Sequence, residues 1–420
     1  MQTTKNAIYA QSGGVTAVIN ASACGVIQAY RQNMDKIGKL YVANNGILGV
    51  LHEELIDTVH ETDSDIELLR YTPGGAFGSC RYKLKSLENN RLEYERLIEV
   101  FKAYNIGYFF YNGGNDSADT CLKVSQIASE LGYPIQAIHI PKTIDNDLVI
   151  TDNCPGFGSV AKYIATSIKE AGMDLASMYK TSTKVFIMEV MGRNAGWIAA
   201  SAGLASSCSA EPPHIILFPE LVFNEAKFLN KVNDCTDKFG YCVIVVSEGI
   251  KNHLGELISS TGNKDVFGHE QLGGVGTIIA DIISKKLNLK CHYAIADYLQ
   301  RSARHIASST DVEQAYKVGF EGVKYALVGH SAIMPYIKRI SQEPYKWDVD
   351  YADLIEVANH EKFMPRNFID EKGFHITQEC RDYITPLICG EDYPQYINGL
   401  PNYVKLKNIK CKKILPDFKV

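Results

Sequence analysis

The chain has 420 residues, with 43 Lys and Arg against 48 Asp and Glu for a formal charge of −5. At about 150 residues per domain, two or three domains are expected, and 46% hydrophobic with 22% charged residues excludes a disordered or fibrous chain. The mild acidity argues against general nucleic-acid binding, which needs a basic field, yet leaves room for small phosphorylated ligands. The 11 cysteines contain no Cys-x-x-Cys pair, so zinc ribbons and thioredoxin-type sites are unsupported and free thiols are expected. The start, Met1-Gln-Thr-Thr-Lys-Asn6, lacks the apolar stretch of a secretion signal. The uncharged run Asn194 to Ala210 is too short and too rich in Ser, Gly and Ala to span a bilayer. A soluble, cytoplasmic protein is expected.

Short apolar runs alternate with helical patterns from the first residues. Ala7-Ile-Tyr-Ala10 predicts a strand, Gln11-Ser-Gly-Gly14 a loop, and the following residues a helix to about Asn33. Leu40-Tyr-Val-Ala43 is a second strand, and Glu88 to Tyr104 a charged helix. Gly107-Tyr-Phe-Phe-Tyr111 ends in Asn112-Gly-Gly-Asn-Asp116, and Ile135 to Ile140 ends in Pro141-Lys-Thr-Ile-Asp-Asn-Asp147. After a helix over Phe157 to Met178 the rhythm resumes, with strands at Lys184–Val190, His214–Phe218 and Tyr241–Val246. Strand, glycine or acidic loop, then helix, repeated, predicts an α/β fold with parallel sheets. One α/β domain is placed at 1–155 and a second at 156–299. Residues 300–336, with a long helix, return to the first, and 337–420 form an extension without an assigned role.

In doubly wound sheets ligands bind at strand carboxyl ends, beside helix N-termini, and each unusual loop falls there. Gln11-Ser-Gly-Gly14 either admits a phosphate to backbone amides or makes a tight turn; it is no Walker loop, since GxxxxGK[ST] occurs nowhere. Asp116, after Gly113-Gly114, is a metal ligand, a carboxylate that shapes the phosphate donor's site, or a helix cap. Phosphoryl transfer to an alcohol asks for a base, a metal-binding acid and a cation. Asp145, Asp147 and Lys142 fill those roles; the competing reading is an Asx-rich surface turn. Arg81 suits bidentate phosphate contact, Arg193 and Arg301 stand at further strand ends, and Glu248 suits a sugar hydroxyl. Taken singly, each is an ordinary surface ion-pair residue.

Thr143-Ile-Asp-Asn-Asp147 and Met191-Gly-Arg193, with Ser12-Gly-Gly14, Gly113-Gly114, Glu248 and Gln300-Arg301, resemble, in order over roughly residues 5 to 330, the loops of the 6-phosphofructokinases. The resemblance implies two Rossmann-like domains with parallel sheets, the active site in the cleft between them, and phosphoryl transfer to the 1-hydroxyl of fructose 6-phosphate. It implies Asp145 as general base, Thr143 at the transferring phosphoryl and Asp147 near the metal. Arg193, Glu248 and Arg301 would hold the sugar phosphate with the Met191-Gly192 backbone. Arg81, Gly13, Gly14 and Gly114 would face the donor. Lys184 stands where many members carry an arginine contributed across a subunit interface. His292 aligns with a second phosphate-binding arginine, whose loss Tyr298 partly replaces.

Two positions bear on the donor. ATP-using members typically carry Gly-Gly-Asp-Gly and a glycine before Thr-Ile-Asp-Asn-Asp; this chain has Gly113-Gly-Asn-Asp116 and Lys142. A carboxylate at Asp116 repels the α-phosphate of ATP, and an ammonium at Lys142 neutralises pyrophosphate and its leaving group. Both changes resemble the pyrophosphate-dependent branch. With Asn115 where a metal-binding Asp is usual, Asp116 and Asp147 are the candidate Mg²⁺ ligands. The alternatives are an ATP-dependent phosphofructokinase or related sugar-phosphate kinase, and a non-catalytic sugar-phosphate-binding subunit. The expected substrates are fructose 6-phosphate and pyrophosphate, and the expected assembly a homodimer or homotetramer.

Overall fold

The computed structural model describes residues 4–84, 88, 90–264, 270–272 and 274–419. In chain order its strands are β1 (Asn6–Gln11), β2 (Leu40–Ala43), β3 (Leu55–Asp57), β4 (Ile106–Gly113) and β5 (Gln136–Pro141). There follow β6 (Val185–Val190), β7 (Ile215–Leu217), β8 (Cys242–Ser247), a ribbon of β9 (Ser260–Lys264) and β10 (Glu270–Leu272), β11 (Cys291–Ile295), β12 (Ile333–Ser341), β13 (Lys346–Asp353) and a short hairpin of β14 (Tyr396–Ile397) and β15 (Leu400–Pro401).

Two sheets carry the molecule. The larger runs β13-β12-β5-β4-β1-β2-β3 and the smaller β11-β6-β8-β7. Strands β12, β5, β4, β1 and β2 pair in parallel, while β13 and β3 close the edges antiparallel. The smaller sheet is parallel throughout. Strands buried on both faces need no polar alternation, which is why β4, β6 and β8 stand out as near-continuous apolar runs.

The helix expected at Phe157–Met178 forms with those bounds, its inner face made by Val160, Ala161, Ile164, Ile168 and Leu175 at the spacing of one helical stripe. The expected Glu88–Tyr104 helix spans Arg91–Ala103; residue 89 lies outside the described residues. The helix Ser309–Leu327 buries Val312, Ala315 and Val318, and its Asp311 reaches across to the other half of the molecule. The Asp311 carboxylate accepts the N–H groups of Gly156 and Ser159 at 2.8 and 2.9 Å, satisfying unpaired donors at the start of the Phe157–Met178 helix. Gly156 is bridged in turn to Thr143, so the turn after β5 is anchored to both sheets.

The last 80 residues have two allegiances. Val404, Leu406, Cys411, Leu415 and Phe418 pack on cores of the larger sheet, whereas Met364, Phe368, Ile376, Cys380 and Leu387 complete the core under the smaller one. No helix of the described residues is long and apolar enough to cross a membrane.

Candidate active site

The loops singled out above all leave the carboxyl ends of their strands. Those after β1, β4 and β5 come from the larger sheet, those after β6, β8 and β11 from the smaller, and the two groups face each other. A Cβ built on Gly14 would lie 2.5 Å from Arg301 Nη1 and 3.3 Å from Arg81 Nη2, so a side chain there would push the two guanidiniums back from the β1 loop. Lys142, 5% exposed, donates from Nζ to Gly14 O at 2.7 Å. Burial pushes its ammonium down to about 8, Asp145 and Asp147 opposing and Arg301 and Arg81 reinforcing the fall. Lysine at this depth is poised between charged and neutral forms.

Next to it the Asp145 N–H donates to Thr143 Oγ1 at 3.0 Å, and Thr143 Oγ1 approaches Asp145 Oδ2 at 3.4 Å. Asn146 follows in the left-handed region at φ 56°, where asparagine is tolerated better than most side chains. The two carboxylates are close enough to repel. Burial raises Asp145 against the opposing pull of Lys142, and burial with Asp145 and Glu361 lifts Asp147 to about 7.

Across the cleft, the Gly192 N–H donates to Glu248 Oε1 at 3.3 Å and Ser247 Oγ donates to Gly192 O at 2.5 Å. Gly192 adopts φ 127°, a conformation that carries the chain sharply from β6 toward Arg193. Burial first and Asp145 of the β5 turn second lift Glu248 to about 7. Buried Gln300 accepts the Met191 N–H at 3.2 Å and donates to Asp297 O at 3.0 Å. The Arg301 guanidinium stacks 3.9 Å from the Tyr298 ring centroid; Tyr298 is itself exposed.

Other expected residues lie differently. Asp116 sits in the first turn of the helix Asn115–Glu130 and pairs with Lys83 at 2.5 Å, a partner with no motif in the sequence to announce it. Asn115 uses both amide atoms on the C-terminal segment, donating to His360 O and accepting the Asn359 N–H at 2.7 Å. Lys184 precedes β6 and packs its ammonium on Tyr179, roughly 20 Å of strand rise from Met191. His292 pairs in register with Phe186 at that same end. Neither reaches the cleft of its own chain.

The C-terminal segment supplies groups that no motif marked. Asn194 Nδ2 donates to Glu361 Oε1 at 3.1 Å, and Lys362 Nζ donates to Asn146 Oδ1, Thr151 O and Asp152 O at 3.4, 3.1 and 2.9 Å. Among the described residues no three His, Cys, Asp or Glu side chains form a metal cage. Asp147, raised beside two other carboxylates, nevertheless fits a hard cation that takes one or two carboxylates and fills its shell with phosphate oxygens and water. A buried carboxylate pair, a flanking ammonium and guanidiniums are the kinds of group that phosphoryl transfer asks for.

Comparison with known proteins agrees. The phosphofructokinase family model matches residues 6–326. A pyrophosphate–fructose 6-phosphate 1-phosphotransferase of Halomonas elongata is 61% identical over 415 residues, 99% of each chain. A solved pyrophosphate-dependent phosphofructokinase from Nitrosospira multiformis superposes with TM-score 0.92 at 61% identity, over 99% of this chain and 100% of that one. One from Marinobacter aquaeolei gives 0.91 at 57% identity, with 99% and 100% covered.

Proposed function

The chain belongs to the phosphofructokinase family, and we propose that it reversibly transfers a phosphoryl group from pyrophosphate to the 1-hydroxyl of fructose 6-phosphate. Asp145 takes the hydroxyl proton, the freed oxygen bonds to the near phosphorus, and the bridging P–O bond breaks to release phosphate and fructose 1,6-bisphosphate. Lys142 and Arg81 hold the donor over the Gly13-Gly14 and Gly114 amides, and Thr143 lies at the transferred group. Arg193, Glu248 and Arg301, the last braced by Tyr298, hold the sugar phosphate with the Met191-Gly192 backbone. Reversibility follows from the donor, because the anhydride of pyrophosphate releases less free energy than that of ATP.

The observation that carries the donor assignment is Lys142, an ammonium donating to Gly14 O at 2.7 Å where ATP-using members carry glycine. Asp116, turned by Lys83, adds a carboxylate where the α-phosphate of ATP would lie. Asp147, with Asp116 as the second candidate, would hold Mg²⁺, which would supply positive charge to the phosphates. Residues 1–155 and 300–336 form the donor unit and 156–299 the sugar-phosphate unit, with 337–420 packed across both. Edge strand β11 leaves Tyr293 and Ile295 exposed at 47% and 44%, beside Lys184 and His292. A second subunit on this edge, in a cytoplasmic homodimer or homotetramer, would bring Lys184 to its neighbour's cleft. Purified protein assayed with fructose 6-phosphate, Mg²⁺ and either donor tests the assignment; turnover with ATP and none with pyrophosphate refutes it.

A further inference from the structure

Four consecutive residues of the C-terminal segment cross the turn that carries Asp145. Asn359 Nδ2 donates to Asp119 Oδ1 at 3.0 Å and its N–H to Asn115 Oδ1, which ties the segment to the helix behind the donor loop. Glu361 accepts from Asn194 in the opposite half of the cleft. Lys362 closes the crossing. Its N–H donates to Asp147 O at 2.7 Å and its carbonyl accepts from Trp197 Nε1 at 3.2 Å.

The ammonium of Lys362 is fully used. Its three donors go to Asn146 Oδ1, Thr151 O and Asp152 O, the number an ammonium has to give. All three acceptors belong to the turn after β5 and its return toward the Phe157–Met178 helix. Tyr383 engages the same turn, accepting from Asn146 Nδ2 at 3.0 Å and donating to Asp152 O at 2.6 Å. Asn146 Oδ1 also accepts the Cys154 N–H at 2.9 Å. Asn146, the left-handed residue between the two catalytic-loop carboxylates, is thus gripped at both amide atoms by groups 216 and 237 positions further along the chain.

We infer that Lys362 is a positioning residue for phosphoryl transfer, holding Asn146 so that the Asp145–Asp147 turn presents its base to the cleft. Base catalysis is sensitive to displacements of about 1 Å, and the turn has no regular ladder of its own to resist them. The inference rests on Asp145 being the base.

The test is a double-mutant cycle of Lys362→Met and Tyr383→Phe, in enzyme whose wild-type turnover with pyrophosphate has been established. Lys362→Met keeps most of the side-chain volume and removes the ammonium. Its kcat is expected to fall by about tenfold or more, the effect of losing charged hydrogen bonds on a reacting group's support, with both KM values within about threefold of wild type. Tyr383→Phe should lower kcat in the same way by a few-fold. Because both act through Asn146, the double variant should fall well short of the product of the single losses. A folded Lys362→Met enzyme with wild-type kcat, a loss confined to KM, or fully multiplicative losses overturns the inference. If Lys362→Met yields no folded protein, an unchanged kcat in Tyr383→Phe overturns it alone. Failure of the wild-type enzyme with pyrophosphate would instead strike the functional reading.

Discussion

Replacing Lys142 with Met should uncouple stability from activity. The side chain is 5% exposed and its ammonium is displaced from 10.5 to about 8, chiefly by burial; keeping it charged in the fold therefore costs about 3 kcal/mol below that pH. Met removes this cost and also removes the donor to Gly14 O, worth about 1–3 kcal/mol when left unmet. The net expectation at pH 7 is a variant as stable as wild type or up to about 2 kcal/mol more stable. The sign with pH is fixed by linkage. Between about 8 and 10.5 the unfolded lysine binds a proton that the folded one has lost, so wild-type stability climbs with pH there and the advantage of Lys142→Met fades. Turnover with pyrophosphate should meanwhile drop about 10²–10³-fold, as when one preorganised donor is taken from a developing charge. Urea unfolding at pH 7 and pH 10, at fixed protein concentration, and steady-state rates in both directions measure the two effects. A variant clearly less stable than wild type at pH 7, or one within about fivefold of its rate, would refute the reasoning.

Asp145→Asn should lower kcat about 10³-fold with little change in KM for fructose 6-phosphate; near-native kcat in a folded variant removes the base assignment. The profile of kcat/KM against pH should be bell-shaped. Its acid limb should lie above the ordinary carboxylate range, because burial raises Asp145 and activity is lost as pH falls through that value. Its basic limb should fall at about 8, where Lys142 loses its proton, and an alkaline plateau would contradict the role of Lys142. Lys184→Ala and Asp145→Asn, each inactive alone, should recover about a quarter of wild-type activity when their subunits are exchanged, since half the mixture is a hybrid with one intact site in two. No recovery in confirmed hybrids denies Lys184 a place in a neighbour's cleft.

How much of this was legible in the sequence depends on the range of the interactions. Strands β1, β2, β4, β5, β6 and β8 are readable because burial on two faces writes an apolar run into consecutive residues, and the loops that end them carry glycine and acid where a helix pattern is about to begin. The turn Lys142–Asp147 is readable for the same reason: its chemistry is contiguous. Glu361, Lys362 and Tyr383 were invisible because their partners stand 167 to 237 positions away, in short elements with no period to detect. Strand β13 does alternate, Trp347 and Val349 facing in, but its charged sequence and the Pro335 in β12 mask an edge pairing that only the sheet reveals. Lys83 gave no sign of itself, since a single lysine before a helix is an ordinary surface residue until Asp116 is brought to it.

The cleft without ligands holds its charges at a disadvantage. Lys142 is displaced toward its neutral form, and Asp147 and Glu248 are lifted to about 7, each first by burial, with Asp145 and other carboxylates adding to the strain on the acids. Bound at the proposed sites, pyrophosphate would bring negative charge to Lys142, Arg81 and Arg301, and a divalent cation would bring positive charge to Asp145, Asp147 and Glu361. On that reading each ligand would relieve the repulsion that burial sharpened and so make the other's site less costly to occupy. A formal charge of −5 conceals this local gathering of buried cations and carboxylates. Asp311 on Gly156 and Lys362 on Asn146 hold the turn that carries these groups from behind, so that on the proposed reading binding energy would go into orienting the reactants rather than into ordering the turn.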